Sequence, residues 1–212
     1  MKTDELINAL AADAGRQKRP VEVVLDWSTL AACIAAAVIF VLTIGPRPDI
    51  SEAATTGRFL FKFVVTAGLA ASAFWVLLRL SRPGALRRGD WGLLLIAPVL
   101  LLLAVLAEFI SVPQAQWAAT ATGQNSLNCL TWIPLFSIAP LALLLPALRH
   151  GAPTRPALAG AVTGLLAAGI GATFYAANCT DDSPLFVVTW YPIGIAFVVG
   201  VASVIATFIA RW

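Results

Sequence analysis

Long runs of apolar residues, separated by short clusters of Pro, Gly and Arg, dominate this chain. Six runs are long enough to cross a bilayer, since a transmembrane helix needs roughly 20 mostly apolar residues. The pattern therefore predicts an all-α integral membrane protein with a bundle of six transmembrane helices. Their expected bounds are residues 27–44, 59–80, 91–110, 130–148, 157–177 and 186–210. Residues 27–212 form one predicted transmembrane domain, preceded by a polar segment, residues 1–26.

Composition and charge fix the predicted orientation of these helices. Hydrophobic residues make up 59% of the chain and charged residues 12%, about half the charged share of a soluble domain, which leaves no room for a large soluble domain. Eleven of the 14 Lys and Arg residues lie in segment 1–26, in the connections after the second and fourth runs, and at the C-terminus. By the positive-inside rule, both termini are predicted to be cytoplasmic. The pI near 9.0 then reflects topology, and we expect no direct contact with nucleic acid.

Segment 1–26 is predicted to contain a short amphipathic helix. Thr3 is a favourable N-cap, and acidic residues follow it in the first turn, where negative charge is stabilising. The acidic and apolar positions that define the helix are Asp4, Glu5, Leu6, Ile7 and Leu10. The apolar stripe needs a surface, and three are open: membrane lipid, the protein's own bundle, or a groove of a protein partner. The acidic start argues mildly against lipid.

A nine-residue motif occurs twice. NCLTWIPLF runs from Asn128 to Phe136 and NCTDDSPLF from Asn178 to Phe186, with five positions identical. We interpret this as a two-helix unit used twice. Each cysteine, Cys129 and Cys179, is then expected just before an equivalent helix. Both cysteines are expected to face the outer compartment.

Two thiols in an oxidising compartment pair where geometry allows. A structural disulfide, a redox sensor and a metal site are therefore all open for Cys129 and Cys179. Asp181 and Asp182 could complete a mixed metal site with the two thiolates, although the spacing fits no known ligand pattern. The remaining cysteine, Cys33, is expected to be inert and buried.

Two further features are expected near the outer surface. Lys62 and Glu108 lie close to the outer ends of their spans, where they could pair across helices or extend towards water. Four aromatic residues are predicted to form an outer interfacial belt. They are Trp132, Tyr175, Trp190 and Tyr191.

Enzymatic functions are poorly supported. The chain has no Cys-x-x-Cys pair, zincin motif or nucleophile elbow, and its one histidine, His150, is on the predicted cytoplasmic side. We expect no enzyme and no cofactor. A small-molecule transporter and a quinone-linked membrane thiol oxidoreductase remain alternatives. A transporter would be expected to carry a charged residue near the midplane of the membrane, and none is predicted there.

Over essentially its whole length the chain resembles the NrsF-type negative regulators of extracytoplasmic-function sigma factors. The features that carry the resemblance are the opening residues Met1 to Leu10, the six spans, and Asn178-Cys179 followed by Asp182 to Phe186 and Trp190-Tyr191. It implies a membrane anti-sigma factor that holds a sigma factor at the bacterial inner membrane through segment 1–26. It also implies that Cys129 and Cys179 sense oxidative or heavy-metal stress. From their positions in the sequence, the expected neighbours of this sensor pair are Asn128, Asn178, Asp181 and Asp182. The assignment of the apolar stripe to the sigma-factor contact comes from its pattern.

Overall fold

Six long helices form the structure, a computed structural model that describes Thr3 and residues 20–82, 84–151 and 153–209. Their bounds are α1 Val21–Thr43, α2 Gly57–Leu80, α3 Ile96–Ser111, α4 Ser126–Ala147, α5 Pro156–Ala176 and α6 Pro184–Ile209. Short helical segments at Ile50–Ala53, Asp90–Leu93 and Trp117–Thr122 lie in the connections. Each of the six long helices lies in a helical stretch that is long and apolar enough to cross a membrane; for α3 that stretch is Asp90–Ser111, and for α4 it is Ser126–His150. The described ranges contain no strand. The all-α, six-helix prediction is confirmed. The predicted helix of segment 1–26 falls on residues outside these ranges.

Helix ends follow local sequence signals. The side chain of Thr56 accepts a hydrogen bond from the backbone of Phe59 at the start of α2, as an N-cap residue does. Pro156 and Pro184 are the first residues of α5 and α6, where the missing N–H and fixed φ of proline are tolerated. These signals place the beginnings of three helices within a few residues of the predicted bounds.

Helix α5 is the centre of the bundle and is built from small residues. A Cβ atom at Gly164 would lie 2.8 Å from the Cα of Val199 on α6, and one at Gly169 would lie 2.9 Å from the backbone N of Ala70 on α2. On another side, a Cβ at Gly171 would lie 2.6 Å from the side chain of Ser137 on α4. Small residues let helix backbones approach closely inside a membrane. The glycines of α5 thus allow three neighbouring helices to pack against one.

The two copies of the repeated motif have different structures. Cys129 lies in the first turn of α4, and Pro134 lies inside that helix. Cys179 instead lies in the non-helical loop of residues 177–183, and Pro184 begins α6. The interpretation that both cysteines precede equivalent helices is therefore wrong.

Three connections meet at one end of the bundle, which we call the cysteine end: residues 44–56, 112–125 and 177–183. The backbone N–H of Arg47 donates to the carbonyl of Ala177 at 3.1 Å, and the indole of Trp190 donates to the carbonyl of Ala121 at 2.8 Å. The opposite end carries residues 81–82, 84–89, 148–151 and 153–155. Outward-facing side chains between the ends are largely apolar, such as Leu42 and Ile110, as lipid contact requires.

Candidate functional site

The cysteine end buries the two motif cysteines side by side. Cys129 on α4 and Cys179 on the loop 177–183 each have no exposed surface, and their thiols are hydrogen-bonding neighbours. Both are free thiols in the structure, as is Cys33. Cys33 is half-buried against a separate apolar cluster. The structure therefore brings together the two predicted sensor cysteines and leaves the third one apart.

Two tyrosines surround the thiol pair. The Sγ of Cys129 lies 3.4 Å from the hydroxyl of Tyr175, which donates to the carbonyl of Asn125 at 3.4 Å. The ring of Tyr191 lies 5.9 Å from the ring of Tyr175. These tyrosines are 1% and 2% exposed, so they belong to the core. The expectation that they form part of an interfacial belt is wrong.

A buried cluster of charges fixes the loop beside Cys179. Asp182 forms two ion pairs. Its Oδ1 lies 2.5 Å from Nζ of Lys62, and its Oδ2 lies 2.9 Å from Nη1 of Arg47. Nζ of Lys62 also donates to the carbonyl of Cys179 at 2.7 Å, although Lys62 is only 1% exposed. A buried ammonium is tolerated where it has such partners. The cluster ties the backbone of Cys179 to α2 and to the loop after α1.

Glu108 has partners other than the expected Lys62. Its Oε2 accepts from the hydroxyl of Ser183 at 2.7 Å and from the backbone N–H of Leu185 at 2.9 Å. Its Oε1 lies 3.5 Å from the guanidinium of Arg58. Lys62 and Glu108 therefore do not pair with each other, and each has its own partners. A carboxylate at the first turn of α6 satisfies a free N–H and complements the helix dipole.

Asp181 connects the same loop to the start of α4. Its Oδ2 accepts from the backbone N–H groups of Gln124 and Asn125 at 2.9 and 2.8 Å. Gly123 has a φ of 56°, and a Cβ there would lie 2.4 Å from the ring of Phe186 and 2.8 Å from Asp181. Glycine is needed here by both conformation and space. The loop is therefore held on the side of α4 as well as on that of α2.

These contacts separate the two aspartates from the thiols. Asp181 is used by backbone N–H groups and Asp182 by Lys62 and Arg47. Within the described ranges, no group of three or more His, Cys, Asp or Glu side chains is arranged to hold a metal ion. The mixed site of two thiolates and two carboxylates is therefore not present in this arrangement.

The surroundings of Cys179 favour its thiolate. The hydrogen bond with Cys129 and then the positive charge of Lys62 lower the pKa of Cys179 to about 7, against the effect of burial. The thiolate is the reactive form in thiol chemistry. Of the two thiols at this site, Cys179 is therefore the one that favours the nucleophilic thiolate form near neutral pH.

The chain matches the family model described as "Negative regulator of sigma F" over residues 10–212. It belongs to this family. It is 32% identical to the anti-sigma-F factor NrsF of Caulobacter vibrioides and 30% identical to the probable anti-sigma-F factor NrsF of Azospira oryzae, with 100% of each chain covered in both comparisons. No solved structure gives a significant match. The family resemblance seen in the sequence is confirmed, and this family is regulatory and non-enzymatic.

In this chain, the loop of residues 177–183 is joined to the connection that follows α1. The side-chain amide of Asn178 donates to the carbonyl of Gly45 at 2.9 Å, just after α1 ends. Its counterpart Asn128 is exposed and donates only to the side chain of Asn125, at 3.2 Å, among the described contacts. Of the two asparagines predicted as sensor neighbours, Asn178 therefore makes the contact with the residues that follow α1.

Sequence reasoning missed three residues of this site: Arg47, Tyr175 and Tyr191. Arg47 lies in a loop without a recognisable motif, and its partner Asp182 is 135 positions away. The tyrosines gave a signal that was assigned to the membrane interface. The predicted partner-binding residues Asp4, Glu5, Leu6, Ile7 and Leu10 lie outside the described residues.

Proposed function

We propose that this protein is a membrane-bound anti-sigma factor for a sigma factor of the extracytoplasmic-function class. It lies in the bacterial inner membrane with both termini cytoplasmic, and segment 1–26 holds the sigma factor away from RNA polymerase. A chemical change at Cys129 and Cys179 under oxidative or heavy-metal stress releases it. The observation that supports the proposal is the buried thiol pair, in which Cys179 belongs to a loop that is hydrogen-bonded to the residues directly after α1.

Helix α1 supplies the path between the two ends. It has 23 residues, hence a length of about 35 Å, and it starts at Val21, where segment 1–26 joins the bundle. At its other end, Asn178 and the backbone of Arg47 join the loop 177–183 to the residues after α1. A shift of this loop would therefore act on α1, which carries the sigma-factor segment.

The free-energy requirement favours a change in which several contacts move together. Shifting a two-state equilibrium from 1:99 to 99:1 needs about 5.5 kcal/mol. One disulfide contributes typically about 2–4 kcal/mol. Closing a Cys129–Cys179 bond would also displace the Cys179 backbone from Lys62 and alter the contacts of Asp182. These coupled contacts would supply the remainder.

In the resting state, the amphipathic helix of segment 1–26 places Leu6, Ile7 and Leu10 in an apolar groove of the sigma factor. Asp4 and Glu5 contact basic residues at the rim of that groove. Helix-in-groove binding of this kind uses apolar anchors at helical spacing. The full-length match to two proteins named as anti-sigma-F factors supports a sigma factor as the partner.

The docking face is tested by co-purification from detergent-solubilised membranes. We expect the full chain to retain its sigma factor and Leu10→Asp to lose it, because a charge would enter the apolar groove. Ala12→Asp adds the same charge off the stripe and should retain the sigma factor. Equal retention by Leu10→Asp and by the full chain would refute the docking proposal. If the chain without residues 1–19 still retains the sigma factor, the proposal that this segment makes the contact is refuted.

The sensor is tested separately by the stress response of a sigma-dependent reporter. Cys179→Ser should abolish induction while resting repression persists, because the serine hydroxyl is similar in size but cannot form a disulfide. Cys33→Ser is the matched control and should respond normally. Induction of wild-type size in Cys179→Ser would leave the thiol pair with a structural role.

A further inference from the structure

A cavity opens between α2, α3 and α6 on the membrane-facing side of the bundle. Its volume is about 480 Å³, within the roughly 300–1,000 Å³ typical of small-molecule sites. The lining is almost entirely apolar. It includes Val65 and Thr66 from α2, Ala97 and Leu101 from α3, and Val187 and Tyr191 from α6.

Tyr191 lies between this cavity and the thiol pair. It lines the cavity, and its hydroxyl lies beside the Cys179 thiol. Yet this hydroxyl has no partner in hydrogen-bonding geometry among the described residues, although Tyr191 is 2% exposed. A buried hydroxyl without a partner is unfavourable. It is therefore available to a ligand that brings a hydrogen-bond acceptor.

The depth of Tyr191 narrows the class of ligand. It is seven residues beyond Pro184, the first residue of α6, so its Cα lies about 10 Å below the start of that helix, and its hydroxyl extends from there back to Cys179. The ester and headgroup oxygens of a phospholipid stay near the interface, whereas a quinone carries its carbonyl oxygens into the hydrocarbon layer. A ligand that brings an acceptor to Tyr191 through this apolar cavity must itself be largely apolar, which is the chemistry of a membrane quinone.

The burial of the thiols also favours an oxidant that is dissolved in the membrane. Cys129 and Cys179 have no exposed surface, so a water-soluble oxidant must wait for the cysteine end to open. Val187 and Tyr191 border the cavity and belong to the same apolar cluster as both cysteines. Because Tyr191 lies between the cavity and Cys179, displacement of its ring would join the cavity to the thiols.

We propose that this cavity binds a membrane quinone, which is the oxidant of the Cys129–Cys179 pair. The proposal rests on the proposed sensor function and names the class of molecule that is sensed. The Cys179 thiolate adds to the quinone ring, and the Cys129 sulfur then attacks Cys179. The S–S bond forms, the S–C bond breaks and its electron pair stays on the ring. The two thiol protons complete the quinol, so two electrons and two protons leave the protein.

The test uses the full-length protein in detergent, reduced and bound to its sigma factor. Decylubiquinone is added under anaerobic conditions, and the free thiols, the quinol formed and the sigma factor released are measured. We expect the three thiols of the chain to fall to one, with one quinol formed per disulfide. Tyr191→Phe, which keeps the ring but loses the donor, should react several-fold more slowly.

A matched pair of variants tests the cavity itself. Ala196→Trp places a large ring in the cavity lining and should slow oxidation by roughly tenfold. Val204→Trp adds the same ring to an exposed position on α6 and should react at the wild-type rate. Tetrathionate, a polar oxidant, should oxidise both variants at the wild-type rate, because faster oxidation would show that the buried thiols had become exposed.

The outcomes separate the two proposals. Quinone oxidation at the same rate in Ala196→Trp and Val204→Trp, or thiols oxidised only by tetrathionate, would overturn the quinone site and leave the sensor function standing. Quinone oxidation that depends on the cavity but releases no sigma factor would support the site and overturn the sensor function.

Discussion

At the residue scale, Lys62 shows how the fold handles a charge that it buries. Its ammonium group reaches two acceptors, the Asp182 carboxylate and the Cys179 carbonyl. The ring of Phe59 lies 5.4 Å from Nζ, within the range of a cation–π contact. A residue that would be costly inside a membrane is thus used to position the backbone beside the reactive thiol.

Lys62→Met should destabilise the protein by about 2–3 kcal/mol. The cost of removing one partner of a fully buried pair is roughly 3–5 kcal/mol, but Asp182 keeps Arg47 as a second partner. Thermal unfolding in detergent measures the change. Arg58→Met is the matched control, because the Arg58 side chain is 55% exposed, and it should cost less than about 1 kcal/mol. Equal losses in both variants would contradict this account of Lys62.

Cys179 should titrate below the ordinary cysteine range. We expect a midpoint of about 7 in the thiolate absorbance of the wild type minus that of Cys179→Ser, against roughly 8.5 for a free cysteine. Because the folded pKa is lowered, the associated stabilisation is fully present above the unfolded value and is lost as pH falls through about 7. In Lys62→Met the midpoint should rise, since one favourable charge is gone. An unchanged midpoint in that variant would exclude Lys62 as a cause.

At the element scale, the apolar runs predicted the helices well because lipid imposes length and composition on each span. The placement of the repeated motif could not be read in the same way. In the second copy, Thr180 to Ser183 are polar residues that favour a loop and an N-cap before Pro184. In the first copy, Leu130 to Ile133 are mostly apolar residues that continue a helix already begun at Ser126. Identical residues at both ends of the motif concealed this difference.

The packing of α5 against α6 leads to a prediction about glycine. Gly164→Ala should destabilise the bundle by about 1–3 kcal/mol, because its Cβ would lie 2.8 Å from the backbone Cα of Val199, which cannot move without the helix. Gly200→Ala on α6 is the control, since no described atom lies within 4 Å of its added Cβ. It should be neutral or slightly stabilising, as alanine favours helix. Thermal unfolding of the two variants measures the difference, and similar midpoints would show that the α5–α6 contact can relax.

At the scale of the whole molecule, the charge pattern and the six runs give an expected membrane topology, but the long-range contacts are beyond sequence reasoning. Arg47 and Asp182 are 135 positions apart, and Lys62 and Cys179 are 117 apart. No local pattern indicates such pairs, because they depend on how the helices are arranged around α5. The connection between the thiol pair and α1 is of this kind.

That connection is tested by one asparagine from each copy of the motif. Asn178→Ala removes the side-chain hydrogen bond to the carbonyl of Gly45, which joins the cysteine loop to the end of α1. Asn128→Ala removes an exposed amide that contacts only the side chain of Asn125 among the described residues. Both variants keep Cys129 and Cys179, so the chemistry at the thiols is preserved.

If α1 carries the signal, Asn178→Ala should bind the sigma factor normally when reduced and form the Cys129–Cys179 disulfide normally, yet release the sigma factor several-fold less upon oxidation. Asn128→Ala should release it as the wild type does. Sigma-factor release and disulfide content are measured in the same samples, so that a loss of coupling is distinguished from a loss of oxidation. Full release by Asn178→Ala would mean that the signal reaches segment 1–26 through another contact, and the packing of α4 against α1 would then be the next one to test.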